Sequence, residues 1–296
     1  MTTSSILKPL LPVARIAPHG QRVKIAGTES SGNRAPVSSF SSDISASESP
    51  QPRRPVAPLW HTALVLVLLL ATSIGGALTH HWTGTLTQHI RSEHHSHIPM
   101  YAVAALWEWL LLALVLWGAR LSGAGLRQLL GVRRAGAVEM WTDFAIALGF
   151  WFTSLIVLGA VAFLLRLAHL HPEDIRGVVT QMAPASLGEL AIWFALSISA
   201  GICEELIFRG YLQQQFTALT RRIWLGIAIS AVFFGLSHGY EGVSGMLLIV
   251  LYGSFFGMLA HLRRSLRAGI FAHAWHDSLS GLVLYFGAHL LHRIPH

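Results

Sequence analysis

Seven apolar segments, each near the roughly 17–25 residues needed to cross a bilayer, constrain this chain more than anything else in it. They run approximately Pro58–Thr79, Tyr101–Gly118, Phe144–Leu167, Leu187–Phe208, Ile223–Gly239, Val243–His261 and Gly269–Leu291. Peptide groups in hydrocarbon find no water, so such segments must fold as helices that satisfy their own hydrogen bonds. The fold class that follows is all-α, a polytopic membrane helix bundle of about seven transmembrane helices. Of 296 residues only 12% are charged, against about 25% in soluble domains, and the charges fall between the apolar runs. The net charge of +7 is therefore no nucleic-acid signal. Its arginines stand between spans, and no basic stretch is interleaved with aromatics. The one cysteine, Cys203, excludes an intrachain disulfide and reads as a small packed residue.

Residues 1–57 are rich in Ser, Pro and Arg and lack apolar periodicity. They read as a disordered, basic cytoplasmic tail, and residues 58–296 as the membrane domain. Arg53-Arg54 before an apolar run reads as the flank of an uncleaved anchor. The second, fourth and sixth connections hold Arg120, Arg127, Arg133 and Arg134, then Arg221 and Arg222, then Arg263, Arg264 and Arg267. The odd connections are poor in basic residues, which puts the N-terminus in the cytoplasm and the C-terminus outside. Leu121–Val132 should lie along the cytoplasmic interface. With Lys so rare beside Arg, a bacterial inner membrane is the expected location. Ser186-x-x-Glu189 is a capping box for the fourth helix, and Asp143 is placed to cap the third. Gly253-x-x-x-Gly257 is a small-residue face that serves packing within the bundle or, as the weaker option, a homodimer.

Glu204-Glu205-x-x-x-Arg209 lies inside the fourth segment. Ionisable groups at such depth cost roughly 2.5–3.5 kcal/mol each on insertion scales, so they must pair, face water or do chemistry. Residues four apart share a helix face while neighbours diverge by about 100°. Glu205 can thus pair with Arg209, which leaves Glu204 for another task. Phe234 lies one turn before His238 in the fifth segment. His273 and Asp277 share a face of the seventh, with His276 rotated off it. Each histidine alone would read as a core residue. The joint set, on three apolar segments, is harder to explain by packing.

These three motifs, Glu-Glu-x-x-x-Arg, Phe-x-x-x-His and His-x-x-x-Asn/Asp, resemble the CAAX-protease and bacteriocin-processing family of intramembrane proteases. The resemblance covers roughly Leu187–Gly287. It implies an intramembrane endopeptidase that cleaves a peptide bond of a membrane-associated protein or peptide. It also implies roles: Glu204 activates water with His238 assisting, Glu205 and Arg209 hold the helix and tune Glu204, and His273 with residue 277 stabilises the oxyanion. A carboxylate in an apolar pocket is a stronger base than one in water, and fixed donors act strongly where water is scarce. Many relatives carry Asn where this chain has Asp277. Either Asp277 carries a proton, as buried carboxylic acids can, or it orients His273. A third option makes Glu204, His238, His273 and Asp277 zinc ligands, although the implied chemistry requires no cofactor. The implied partners are membrane lipid and the substrate.

Other readings stay open. Gly242-Val-Ser244-Gly245 matches a rhomboid serine-protease pattern with His273 as base, although four residues with two glycines arise readily by chance. Buried Glu, His and Asp also relay protons in transporters, and a catalytically silent scaffold or immunity protein could keep such a site. The histidines of the first connection (His80, His81, His89, His94, His95 and His97) read as a solvated loop, with weak metal binding as the alternative. Glu108 has no visible partner and suggests an interhelical contact. Hydropathy also sets Glu204 and His238 at opposite depths, so the fourth helix is expected to continue past Arg209 through Tyr211–Leu219.

Overall fold

The computed structural model describes residues 54–87, 96–131, 136–168 and 182–291, with side chains described as far as 75 in the first helix and 287 in the last. Every regular element among them is helical. In chain order they are α1 (Leu59–Thr87), α2 (Ile98–Leu121), α3 (Leu126–Leu130), α4 (Ala137–Leu167), α5 (Leu187–Glu204), α6 (Gln213–Thr220), α7 (Ile223–Leu236), α8 (Gly242–Arg263) and α9 (Arg267–Leu291). A π-helical stretch, Glu205–Leu212, joins α5 to α6, and a 3₁₀ turn, Gly239–Glu241, precedes α8. All seven apolar segments are helical. By length and composition α2, α4, the Leu187–Thr220 run and Gly239–Arg263 can each cross a bilayer, while Leu59–Gly75 and Ile223–Leu236 are apolar but shorter. The protein is a polytopic helical membrane protein. Leu, Val, Phe and Trp side chains on the outer faces, such as Val138, Trp141, Ile156 and Val283, are more than half exposed, as lipid-facing residues are.

Apolar surface gives no net drive between helices in lipid, so close packing and polar contacts must hold them. Small residues supply the approach. A Cβ at Gly201 of α5 would lie 2.9 Å from the backbone nitrogen of Ala274 in α9. The α5–α9 pair is among the most extensive contacts of the bundle. Gly253 and Gly257 place α8 against the Leu187–Thr220 run. The Gly253 carbonyl accepts from Arg209 Nη2 at 3.1 Å, and the Gly257 carbonyl accepts from Gln213 Nε2 at 3.0 Å. The Gly-x-x-x-Gly face is thus used inside the chain, two bonds in the same four-residue register.

Polar clasps tie the remaining helices. The Gln215 side chain, fully buried, accepts from the amides of Val56 and Ala57 and donates to the Ala57 carbonyl and Thr62. Val56 and Ala57 close the segment read as tail; the residues before Arg54 lie outside the described ones. His61 of α1 bridges the Tyr211 hydroxyl (2.8 Å) and the Leu114 carbonyl (3.0 Å).

Asp143 does not cap a helix, contrary to the expectation. Helix α4 begins six residues earlier, at Ala137, and Asp143 is buried within it. Its carboxylate takes Arg263 (2.7 Å) and Arg267 (2.6 Å) from the α8–α9 turn. An enclosed carboxylate needs a full set of donors, and two arginines supply it. The Ser186 cap is present, its hydroxyl accepting from Glu189 N at 3.2 Å. The Glu189 carboxylate also holds Ala185 N, His97 N and the Ser96 hydroxyl. The other five histidines of the first connection lie outside the described side chains. Helix α3 docks through buried Leu129, and Leu130 O accepts from Leu266 N at 3.1 Å. Gln214 donates to the Gln128 and Leu129 carbonyls. The second and sixth connections and the end of the Leu187–Thr220 run therefore meet at one end of the bundle.

Candidate active site

The helix carrying Glu204 runs unbroken to Thr220, as the depth problem required. What the sequence did not announce is the π turn inside it. Wide π turns interrupt α-helices mostly at functional sites, and this one begins at Glu205, directly after Glu204. All eight of its residues are buried. Ser230 of α7 donates to the Phe208 carbonyl within it at 2.7 Å.

Arg209 binds Glu205 Oε1 at 3.0 Å, and both side chains are enclosed. The guanidinium also stacks over Phe234, 4.3 Å from the ring centroid, and Phe256, at 5.0 Å. Phe234 of the Phe-x-x-x-His motif is therefore the apolar wall against which the ion pair is set. Its backbone carbonyl accepts from His238 Nδ1 at 2.8 Å. A carbonyl only accepts, so Nδ1 donates here and Nε2 is the nitrogen left for another partner.

His273 lies between the two glutamates. Its Nδ1 is 3.2 Å from Glu205 Oε1, and its Nε2 is 3.4 Å from Glu204 Oε2 and 3.6 Å from Asp277 Oδ2. The neighbours Glu204 and Glu205 thus converge on one ring instead of serving separate surroundings, because α9 approaches closely at Gly201. A ring with carboxylates at both nitrogens satisfies both only by donating from each, as imidazolium does. The Glu204 contact is an ion-pair distance without hydrogen-bond geometry. Glu204 Oε2 and Glu205 Oε2 are both buried with no hydrogen-bond partner, and of the two residues Glu204 lines the cavity.

Glu204, His238 and Asp277 line one cavity of about 480 Å³, and His273 stands behind it. Of the six residues singled out in the sequence, Glu204, Glu205, Arg209, His273 and Asp277 form one contact chain, and His238 joins Glu204 and Asp277 across the cavity. Among the described residues no group of three or more His, Cys, Asp or Glu stands out as a metal site. Ser244 of the rhomboid-like pattern is not among the cavity's lining residues.

Other lining residues are Glu108, Tyr240, Glu241 and His276. Glu108 makes the interhelical contact expected of it, accepting from Ser199 of α5 at 3.2 Å, and it also faces the cavity. His276 Nδ1 accepts from Trp151 of α4 at 3.2 Å. Glu241 and Tyr240 follow His238 by three and two residues, and only that proximity in the chain could have flagged them.

Three motifs on three helices, joined through one histidine beside a membrane-embedded cavity, suit a hydrolase. Residues 186–279 match the family described as Type II CAAX prenyl endopeptidase Rce1-like. This segment is similar to the Rce1-like endopeptidases. The matched stretch opens at the Ser186 cap and closes two residues after Asp277, so it holds all six site residues. The match supports, in general terms, a protease of the CAAX type in a helical membrane bundle. No curated protein and no solved structure matches the chain. Helices α1, α2 and α4 lie outside the Rce1-like segment, yet α2 contributes Tyr101, Ala104 and Glu108 to the cavity.

Proposed function

We propose that the chain is an intramembrane endopeptidase in which Glu204 activates a water for attack on a peptide carbonyl. The observation that carries this reading is the shared cavity, with Glu204, His238 and Asp277 in its wall and a Glu204 oxygen lacking a hydrogen bond. A buried carboxylate oxygen left unsatisfied is costly, and a reacting water would supply the missing donor. Glu204 takes one water proton as the oxygen bonds to the carbonyl carbon. His238, with Nε2 unprotonated, accepts the other water hydrogen as a hydrogen bond and orients the lone pair. His273 donates to the oxyanion of the tetrahedral intermediate, with Asp277 orienting it. Collapse breaks the C–N bond, and Glu204 returns its proton to the leaving amine. Arg209 and Glu205 hold the π turn so that Glu204 and His273 stay in register. This chemistry calls on no metal.

The substrate is a membrane-associated protein or peptide. The membrane is the inner membrane of a bacterium, with the arginine-bearing connections on the cytoplasmic side. The test compares peptide termini in membranes of cells expressing the wild-type chain or Glu204→Gln. A membrane protein cut in the first and whole in the second is expected. Identical termini in both would overturn the reading.

A further inference from the structure

Helix α1 buries one face, formed by His61, Val65, Leu69 and Ser73 at four-residue intervals. The first three are packed or clasped by α2 and Tyr211. Ser73 has a different neighbour. Its hydroxyl donates to the Leu236 carbonyl and accepts from the Gly239 amide at 3.1 Å. Those groups flank His238, two residues before it and one after. The Ser73 side chain therefore clasps the backbone on both sides of the histidine, at the point where α7 ends and the 3₁₀ turn begins. Gly239 admits this approach, because a Cβ there would lie 2.5 Å from Ser73 Oγ.

The remaining ties on this turn are local. His238 Nδ1 holds the Phe234 carbonyl, the Ser237 hydroxyl bonds that same carbonyl, and Glu241 N donates to the His238 carbonyl. None reaches another helix. Ser73 thus bonds the backbone beside His238 from outside α7–α8, and it is 7% exposed.

We propose that Ser73 is a positioning residue for His238, so that α1, outside the Rce1-like segment, belongs to the working site. The assignment rests on the proposed function. Losing the hydroxyl takes a hydrogen-bond partner from the Leu236 carbonyl and from the Gly239 amide, both at a part-buried position. An unmade bond at such a position costs enough to loosen a short turn. A shift of about 1 Å at a reacting group lowers a rate about 100-fold.

The experiment uses the full chain in lipid nanodiscs, as wild type, Ser73→Ala and Ser73→Thr. Two readouts are taken: hydrogen–deuterium exchange over 232–242, and cleavage of a fluorogenic farnesylated peptide ending in Cys-Val-Ile-Met. Ser73→Ala should speed exchange at Gly239 while α5 and α9 keep wild-type protection, and kcat should fall about 10- to 100-fold with KM little changed. Ser73→Thr, which keeps the hydroxyl, should restore both. Unchanged exchange and kcat in Ser73→Ala would overturn the proposal. So would a general loss of protection across the bundle with no recovery in Ser73→Thr, which marks a merely structural role. A wild-type chain that leaves the reporter whole shows that this peptide is not a substrate, the proposed function being tested separately by the Glu204→Gln comparison of membrane-protein termini, and exchange at Gly239 then decides the clasp by itself.

Discussion

Adjacent glutamates in a buried helix divide their work by partner. Each keeps one buried oxygen without a hydrogen bond, but Glu205 has Arg209 and His273 at its other oxygen, whereas Glu204 has a long contact to His273 and faces the cavity. Glu204→Gln should therefore slow cleavage about 10²- to 10⁴-fold, the contribution of a general base, and leave the unfolding temperature in detergent unchanged. Arg209→Ala strands a buried carboxylate and should cost about 3–5 kcal/mol of stability, visible as a lower unfolding temperature and lower protein level. The opposite pattern, Glu204→Gln unfolding early while Arg209→Ala stays stable and active, would reverse the roles. Because the proposed water activation uses no metal, dialysis against a chelator should leave cleavage intact. Zinc bound stoichiometrically and required for cleavage would contradict this. The six residues were legible because ionisable groups stand out in apolar segments. Ser73 was not, since a serine at a helix face announces no partner, and Glu241 was hidden for the same reason.

At the scale of elements, the helices could be read from hydropathy because hydrocarbon admits little else. The π turn could not: Glu205–Leu212 looks like ordinary amphipathic helix, and the groups that bond it, the Ser230 hydroxyl on the Phe208 carbonyl and the Gly253 carbonyl on Arg209, lie on other helices. Asp143 was misread because a carboxylate near a hydropathic boundary resembles a cap, while its true partners lie 120 and 124 residues away. Glycine spacing was legible as close packing but not as to which helix it receives. Gly257→Val tests that assignment. A Cβ at this position meets Gln213 Oε1 at 2.7 Å and Ile227 at 2.9 Å, so the variant should lose about 1–3 kcal/mol as overpacked sites do. If α8 instead served only a second copy of the chain, the monomer's unfolding temperature would stay put and cross-linked dimer would disappear.

For the whole molecule, the Rce1-like segment is about a third of the chain, yet the cavity and its supports draw on helices before it. Helix α2 lines it, α4 reaches His276 through Trp151, and α1 holds the His238 turn. The bundle end formed by α3, the α6–α7 turn and the α8–α9 turn carries arginines, and the proposed topology puts it on the cytoplasmic side. Cysteine labelling can check this cleanly, since the native Cys203 is fully buried. Arg127→Cys and Arg222→Cys, both exposed in the wild type, should react with a membrane-impermeant maleimide in inverted vesicles and not in intact cells. Labelling of intact cells would invert the topology.

The central claim is that Glu204 and His238 act on one water. The most direct measurement is a double-mutant cycle of cleavage rates for Glu204→Gln, His238→Ala and the pair, in folded protein of equal protection. Groups that work as a unit lose little more together than apart, so the double variant should match Glu204→Gln to within about threefold. Losses that multiply would mean that the two residues act independently, and the shared-water mechanism would be wrong.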